Sequence, residues 1–189
     1  MPGSSVPGLE RYVQRLAERL LEIEMTPTGQ PIVAWVRQHR PRIDLGKPIT
    51  GGGFTYPWPL SYIVISPDYD DDWLRGAIAH ELTHLIKYGG PGTIFGSLEQ
   101  EREACWVAAM VWTEYPAGDP TPPRERPNYE AQAGWVLDHP PEAVRQVMRA
   151  TWGGFYATIP ELQPGHWPWQ QLRAGWRQIA FGVRVTLGR

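Results

Sequence analysis

Apolar residues spaced three or four positions apart predict helices along most of the chain. The first predicted helix runs from Leu9 to about Met25. Residues 31–39 begin with Pro31 and favour a short helix, although their β-branched side chains would also suit a strand. The same periodicity predicts three helices near the C-terminus, at about 128–138, 141–152 and 169–183.

Two short stretches have the composition of strands. Arg42–Leu45 is one, and Ser61–Ser66, which is rich in β-branched residues, is the clearer one. A small N-terminal sheet followed by helices makes the chain α+β. A length of 189 residues indicates a single domain over 1–189, with a core in 1–115, a Pro-rich loop at 116–127 and a helical part at 128–189.

A further helix is marked by signals at both of its ends. Three aspartates, Asp70–Asp72, can cap its start and interact with the helix dipole, and Gly89-Gly90 follows its last turn. Within it stands the pattern H-E-x-x-H, formed by His80, Glu81 and His84. Histidines four residues apart share a helix face and can bind one zinc ion, while the glutamate can act as a general base. Two buried histidines with hydrogen-bond partners are the ordinary alternative.

A zinc site of this kind needs a third protein ligand. Position 90 is glycine, which excludes the variant with a third histidine six residues after the second. The other source is a glutamate on the next helix, where Ser97 and Gln100 have the spacing of a capping box.

Three glutamates at the start of that next helix compete for the role of ligand. Glu99 and Glu101 lie in the first turn, where carboxylates commonly meet unpaired N–H groups, and Glu101 is expected to point away from the other two. Glu103 lies deeper, beside the small Ala104. We therefore predict Glu103 as the ligand, with Glu99 as an accessory acceptor and Glu101 without a role.

These residues resemble the gluzincins, zinc peptidases in which H-E-x-x-H is followed by a glutamate ligand on the next helix. The resemblance covers about residues 60–115 and is greatest for the small single-domain members, the minigluzincins. It implies a zincin-like fold, with zinc bound by His80, His84 and Glu103 and a substrate-binding strand edge within 54–66. An interior strand is the alternative for that segment. The chain departs from thermolysin-like members at Val107, where they carry an aspartate that supports the first histidine.

Other residues could contribute to the site. Cys105 lies in the apolar part of the second helix and is read as a buried, inert thiol. A distal histidine or tyrosine could stabilise the oxyanion of a tetrahedral intermediate. The candidates for that role are His139, His166, Tyr88, Tyr115 and Tyr156.

Composition limits the partners and the cellular compartment that we expect for this chain. The net charge of −2 and the lack of a Lys/Arg run predict no nucleic-acid partner. No apolar stretch is long enough for a membrane span, and the N-terminus has no signal-peptide pattern. With a single cysteine, these features predict a cytoplasmic protein without a membrane partner. The oligomeric state is left open.

The expected activity is zinc-dependent hydrolysis of a peptide or protein, with Glu81 as general base. The alternatives are a non-catalytic protein that uses the zincin fold to bind or to sense, and a hydrolase of a non-peptide amide. A base at position 81 argues against a purely structural zinc site.

Overall fold

Six helices and a three-stranded mixed sheet form a mainly helical α+β arrangement in the described part of the chain. A computed structural model describes residues 7–48, 52–56, 59–90, 96–115, 126–151, 156–157, 159–161 and 176. The helices are α1 (Pro7–Glu24), α2 (Gln30–His39), α3 (Asp71–Tyr88), α4 (Leu98–Glu114), α5 (Arg126–Asp138) and α6 (Pro141–Thr151). The strands are β1 (Arg42–Leu45), β2 (Gly53–Tyr56) and β3 (Tyr62–Ile65).

The sheet has the strand order β1-β3-β2. β1 pairs with β3 in parallel and β2 pairs with β3 in antiparallel orientation. The alternation along β3 buries Ile63 and Ile65, which join the main hydrophobic core. The predicted strands near 42–45 and 61–66 are thus confirmed. Within the segment 54–66, β3 is interior to this sheet, whereas β2 forms one edge among the described strands. Binding of substrate at that edge stays a prediction.

The helix that carries H-E-x-x-H forms as its end signals predict. The side chain of Asp70 accepts a hydrogen bond from the backbone N–H of Trp73, and Gly89 caps the C-terminus. Asp71, in the first turn, pairs with Arg15 and Arg19 of α1. These contacts fix α3 against α1, while Leu74, Ile78 and Leu82 of α3 contribute fully buried side chains to the main core.

α4 contributes side chains to all three hydrophobic clusters of the described structure. Ser97 and Gln100 form the predicted capping box at its start. Val107 and Val111 of α4 belong to the core shared with α1–α3 and the sheet. Two smaller clusters join α4 to the later helices, one around Met148 of α6 and one around Val136 of α5. α4 is therefore packed against α1–α3 and the sheet, and also against α5 and α6.

Four of the remaining predicted helices can be compared with the structure, and the fifth cannot. Helices α1, α2, α5 and α6 are confirmed, with ends that differ from the expected ones by a few residues. The predicted helix at 169–183 and most of the Pro-rich loop at 116–127 lie outside the described residues. None of the described helices combines the length and the apolar character needed to cross a bilayer.

Candidate metal centre

His80 and His84 project from the same face of α3, as their spacing predicts. Their Nε2 atoms lie 3.1 Å apart. Both side chains are largely buried, with 16% of His80 and 5% of His84 exposed. One helix face thus presents two imidazole nitrogens to a single point.

The third member of the cluster is Glu101. Its Oε2 lies 3.3 Å from Nε2 of His80 and its Oε1 lies 3.5 Å from Nε2 of His84. The predicted Glu103 is elsewhere: its carboxylate accepts a hydrogen bond from the Tyr88 hydroxyl and pairs with Lys87 at 3.3 Å. The structure brings together His80, His84 and Glu101, and it does not bring Glu103 to the histidines.

Helix phase alone does not separate the two acids. Ala104, Val107 and Val111 are buried on α4. At about 100° per residue, the mean direction of these three side chains lies about 85° from Glu101 and about 75° from Glu103, on opposite sides. The packing of α4 against α3 decides between them: Glu101 is buried beside the histidines, whereas Glu103 contacts Tyr88 and Lys87. The sequence pattern of α4 was therefore not enough to choose Glu101 over Glu103.

Glu99 is not part of the cluster either. Its carboxylate accepts hydrogen bonds from Arg102, the shorter at 2.6 Å, and from Arg145 of α6. It therefore ties the start of α4 to α6 instead of supporting a histidine.

The donor set fits a tetrahedral metal ion. Zinc–ligand distances of about 2.0–2.2 Å imply tetrahedron edges of about 3.3–3.6 Å. The two Nε2 atoms are 3.1 Å apart, and they lie 3.3 and 3.5 Å from the two different oxygens of the Glu101 carboxylate, all close to that range. Two imidazoles and one carboxylate are also ligands that zinc prefers. Among the described residues, this potential metal-binding group has these three members.

The pKa values of His80 and Glu101 are shifted in opposite directions, each in favour of the charged form. Burial alone would raise the pKa of Glu101, but His84 and His80 outweigh it and hold the pKa of that carboxyl well below its usual range. Burial alone would lower the pKa of His80, yet Cys105, Glu101 and Glu81 raise it well above its usual value. These shifts favour the charged forms of both side chains, and a metal ion on His80 Nε2 would compete with a proton for that atom.

Glu81 lies beside the cluster and under strand β2. Its carboxylate Oε2 accepts a hydrogen bond of 2.6 Å from the Thr55 hydroxyl, which also donates to the Glu81 carbonyl at 3.0 Å. A Cβ at Gly53 would lie 2.4 Å from Oε1 of Glu81. Burial raises the pKa of Glu81, while His80, His84 and Thr55 lower it by a smaller amount. Gly53 and Thr55 could not be identified from the sequence, because no motif links a strand residue to an acid on a later helix.

Cys105 also reaches the cluster, although the sequence placed it only in an apolar interior. Its Sγ lies 3.6 Å from Nδ1 of His80, on the side of the ring away from Glu101. Cys105 stands four residues after Glu101, so the two side chains lie about one turn apart on α4. His80 thus has a side-chain neighbour at Nδ1, whereas Val107, where thermolysin-like enzymes carry an aspartate, offers no polar atom.

The candidates for oxyanion stabilisation are dispersed. Tyr88 is bound to Glu103, and Tyr115 stacks against the guanidinium of Arg75. His139, the residue after α5, is exposed and stacks on Trp135 of that helix. Burial raises the pKa of Tyr156, and the nearby acidic groups Glu101, Cys105 and Glu81 raise it further. Of the described candidates, Tyr88 has its ring centroid 6.4 Å from that of His84, and Tyr156 interacts electrostatically with Glu101 and Glu81. His166 lies outside the described residues.

Comparison of the chain with protein-family models, with curated proteins and with solved structures found no significant match. The similarity to gluzincins therefore rests on the H-E-x-x-H residues and on the presence of glutamates at the start of the next helix. It stays a prediction about this chain.

Proposed function

We propose that this protein is a zinc-dependent peptidase of gluzincin type in which His80, His84 and Glu101 bind the metal. The observation that carries the proposal is the convergence of two Nε2 atoms and a carboxylate at the separations of a zinc tetrahedron. The revised ligand, Glu101, replaces Glu103 because it is the acid that α4 directs toward the histidines. A zincin-like arrangement, with a small sheet before two ligand-bearing helices, is part of the same proposal.

A zinc ion in this place would supply a Lewis acid that polarises the scissile carbonyl and acidifies water. Glu81 would accept a proton from the attacking water on its carboxylate. It would then donate that proton to the amine nitrogen as the peptide C–N bond breaks. Burial suits this role, because it raises the pKa of Glu81 toward the range in which a carboxylate both accepts and returns a proton.

β2 would hold this general base in place. The Thr55 hydroxyl fixes one oxygen of Glu81, and Gly53 lets the strand approach the other oxygen without a side chain between them. A peptide or protein substrate would have to reach the same face of α3. The class of substrate follows from the resemblance and from the chemistry of an activated water, not from a bound ligand.

The ligand assignment is tested with a pair of matched substitutions on α4. We expect Glu101→Gln to weaken zinc binding by more than the about 10–100-fold that loss of an outer partner costs. Glu103→Gln, two residues away on the same helix, should bind zinc as the wild type does. Affinity is measured by competition with a fluorescent chelator. Loss of zinc from the Glu103 variant alone would overturn the assignment.

The enzymatic assignment needs a separate measurement. Glu81→Gln should retain zinc and lose about 10²–10⁴-fold in the cleavage rate of a mixed peptide library read by mass spectrometry. Undiminished cleavage by this variant would contradict the role of general base. Zinc binding without cleavage by the wild type would instead favour the non-catalytic alternative, a binding or sensor protein that uses the same site.

A further inference from the structure

The ring of His80 has two nitrogens with different neighbours. Nε2 faces Glu101 and His84. Nδ1 faces Cys105, whose Sγ lies 3.6 Å away. If Nε2 binds a metal, the proton of a neutral imidazole must be on Nδ1, and that N–H then needs an acceptor.

We infer that Cys105 is a positioning residue for His80: its sulfur accepts the Nδ1–H hydrogen bond and holds the ring with Nε2 directed at the metal. The inference rests on the proposed metal site. It explains why two side chains four residues apart on α4 contact the same histidine, Glu101 near one nitrogen and Cys105 near the other. One turn of α4 thereby sets both the ligand and the orientation of its neighbour.

The packing around Cys105 favours a fixed sulfur. Cys105 contacts both smaller hydrophobic clusters, the one around Met148 and the one around Val136. Apolar groups of both clusters thus pack against the thiol, and Tyr156, which packs against the Met148 cluster, is a polar neighbour of it. A carboxylate is a stronger acceptor than a sulfur atom, so this histidine is supported more weakly than an acid would support it.

Three substitutions of Cys105 separate positioning from packing. Cys105→Ala removes the acceptor and should weaken zinc binding by about 10–100-fold. Cys105→Asp supplies a carboxylate and should restore or exceed wild-type affinity. Cys105→Asn offers a neutral acceptor and serves if a carboxylate at this partly buried position prevents folding. Chelator competition gives the affinities, and urea unfolding of the metal-free proteins reports any loss of stability.

Cobalt substitution distinguishes a positioning sulfur from a ligand. The cobalt-loaded wild type should show the d–d bands of a tetrahedral site without a thiolate-to-cobalt charge-transfer band. Such a band would make Cys105 a ligand and overturn the inference. Wild-type affinity in Cys105→Ala, or equal losses in all three variants together with lower stability, would also overturn it.

The failure of this inference can be told from the failure of the metal site. If the wild type does not bind zinc, or if Glu101→Gln binds it equally well, the proposed site itself is refuted. If Glu101→Gln loses zinc while Cys105→Ala keeps full affinity, only the role of Cys105 is refuted. Glu103→Gln is the control for a change on α4 that contacts neither histidine.

Discussion

Gly53 offers a direct test of the close approach between strand β2 and the proposed general base. In a Gly53→Ala variant, the new Cβ would lie 2.4 Å from Oε1 and 2.9 Å from both Cδ and Cγ of Glu81. An unstrained contact needs about 3.5 Å, so the carboxylate would have to move by about 1 Å. The movement cannot be absorbed freely, because Glu81 is 7% exposed and its other oxygen is bound to Thr55.

A displacement of about 1 Å at a reacting group can cost about 10²-fold in rate. We therefore expect Gly53→Ala to lower kcat/KM by about that factor, which corresponds to about 2.7 kcal/mol in the barrier. Zinc affinity should stay close to that of the wild type, because Glu81 is not one of the three proposed ligands. The assay is peptide cleavage by protein with verified zinc content.

Gly76→Ala is the matched control. Gly76 lies five residues before Glu81 on α3, and a Cβ there would meet nothing within 4 Å. This variant should keep full activity and gain about 0.5–1 kcal/mol in stability, because alanine favours a helix interior over glycine. Zinc-loaded Gly53→Ala with activity within about threefold of Gly76→Ala would refute the reasoning, since about 10² is expected.

Two other contacts lead to measurable effects. Thr55→Val removes the hydroxyl that donates to Glu81, so we expect a loss of about 1.5–3 kcal/mol in the free energy of unfolding, retained zinc and slower cleavage. Thr55→Ser keeps the hydroxyl and should recover most of the stability and the cleavage rate. If it does not, the methyl group and not the hydroxyl is responsible for the effects of Thr55→Val. For Glu99, burial favours a raised pKa, but Arg102 and Arg145 outweigh it and lower the pKa below 4.5. A carboxyl whose pKa is lowered by folding stabilises the protein above its unfolded pKa, and this contribution is lost as the pH falls through the folded pKa. Glu99→Gln should therefore cost about 1 kcal/mol in urea unfolding at pH 7, after allowance for partial exposure, and progressively less below about pH 4. A difference from the wild type that stays constant from pH 7 to pH 3 would contradict this account, and zinc affinity should not change.

Local signals in the sequence determined most of the helices and the histidine pair. Asp70 and Gly89 mark the ends of α3, and Ser97 with Gln100 marks the start of α4, because end caps act through neighbours a few residues away. The spacing of His80 and His84 places them on one face of any helix that contains them. The strand at 62–65 was likewise readable from its β-branched residues.

Tertiary structure decided which residues meet those histidines. Spacing along α4 left Glu99, Glu101 and Glu103 in competition, and the packing of α4 against α3 brought Glu101 to the histidines. The same packing placed Cys105 against His80, and the pairing of β2 with β3 laid Thr55 over Glu81. Contacts of this kind depend on the relative orientation of packed elements, which periodicity within one element does not specify. Local patterns therefore predicted the helix that carries the candidate site, and packing between α3, α4 and β2 completed it.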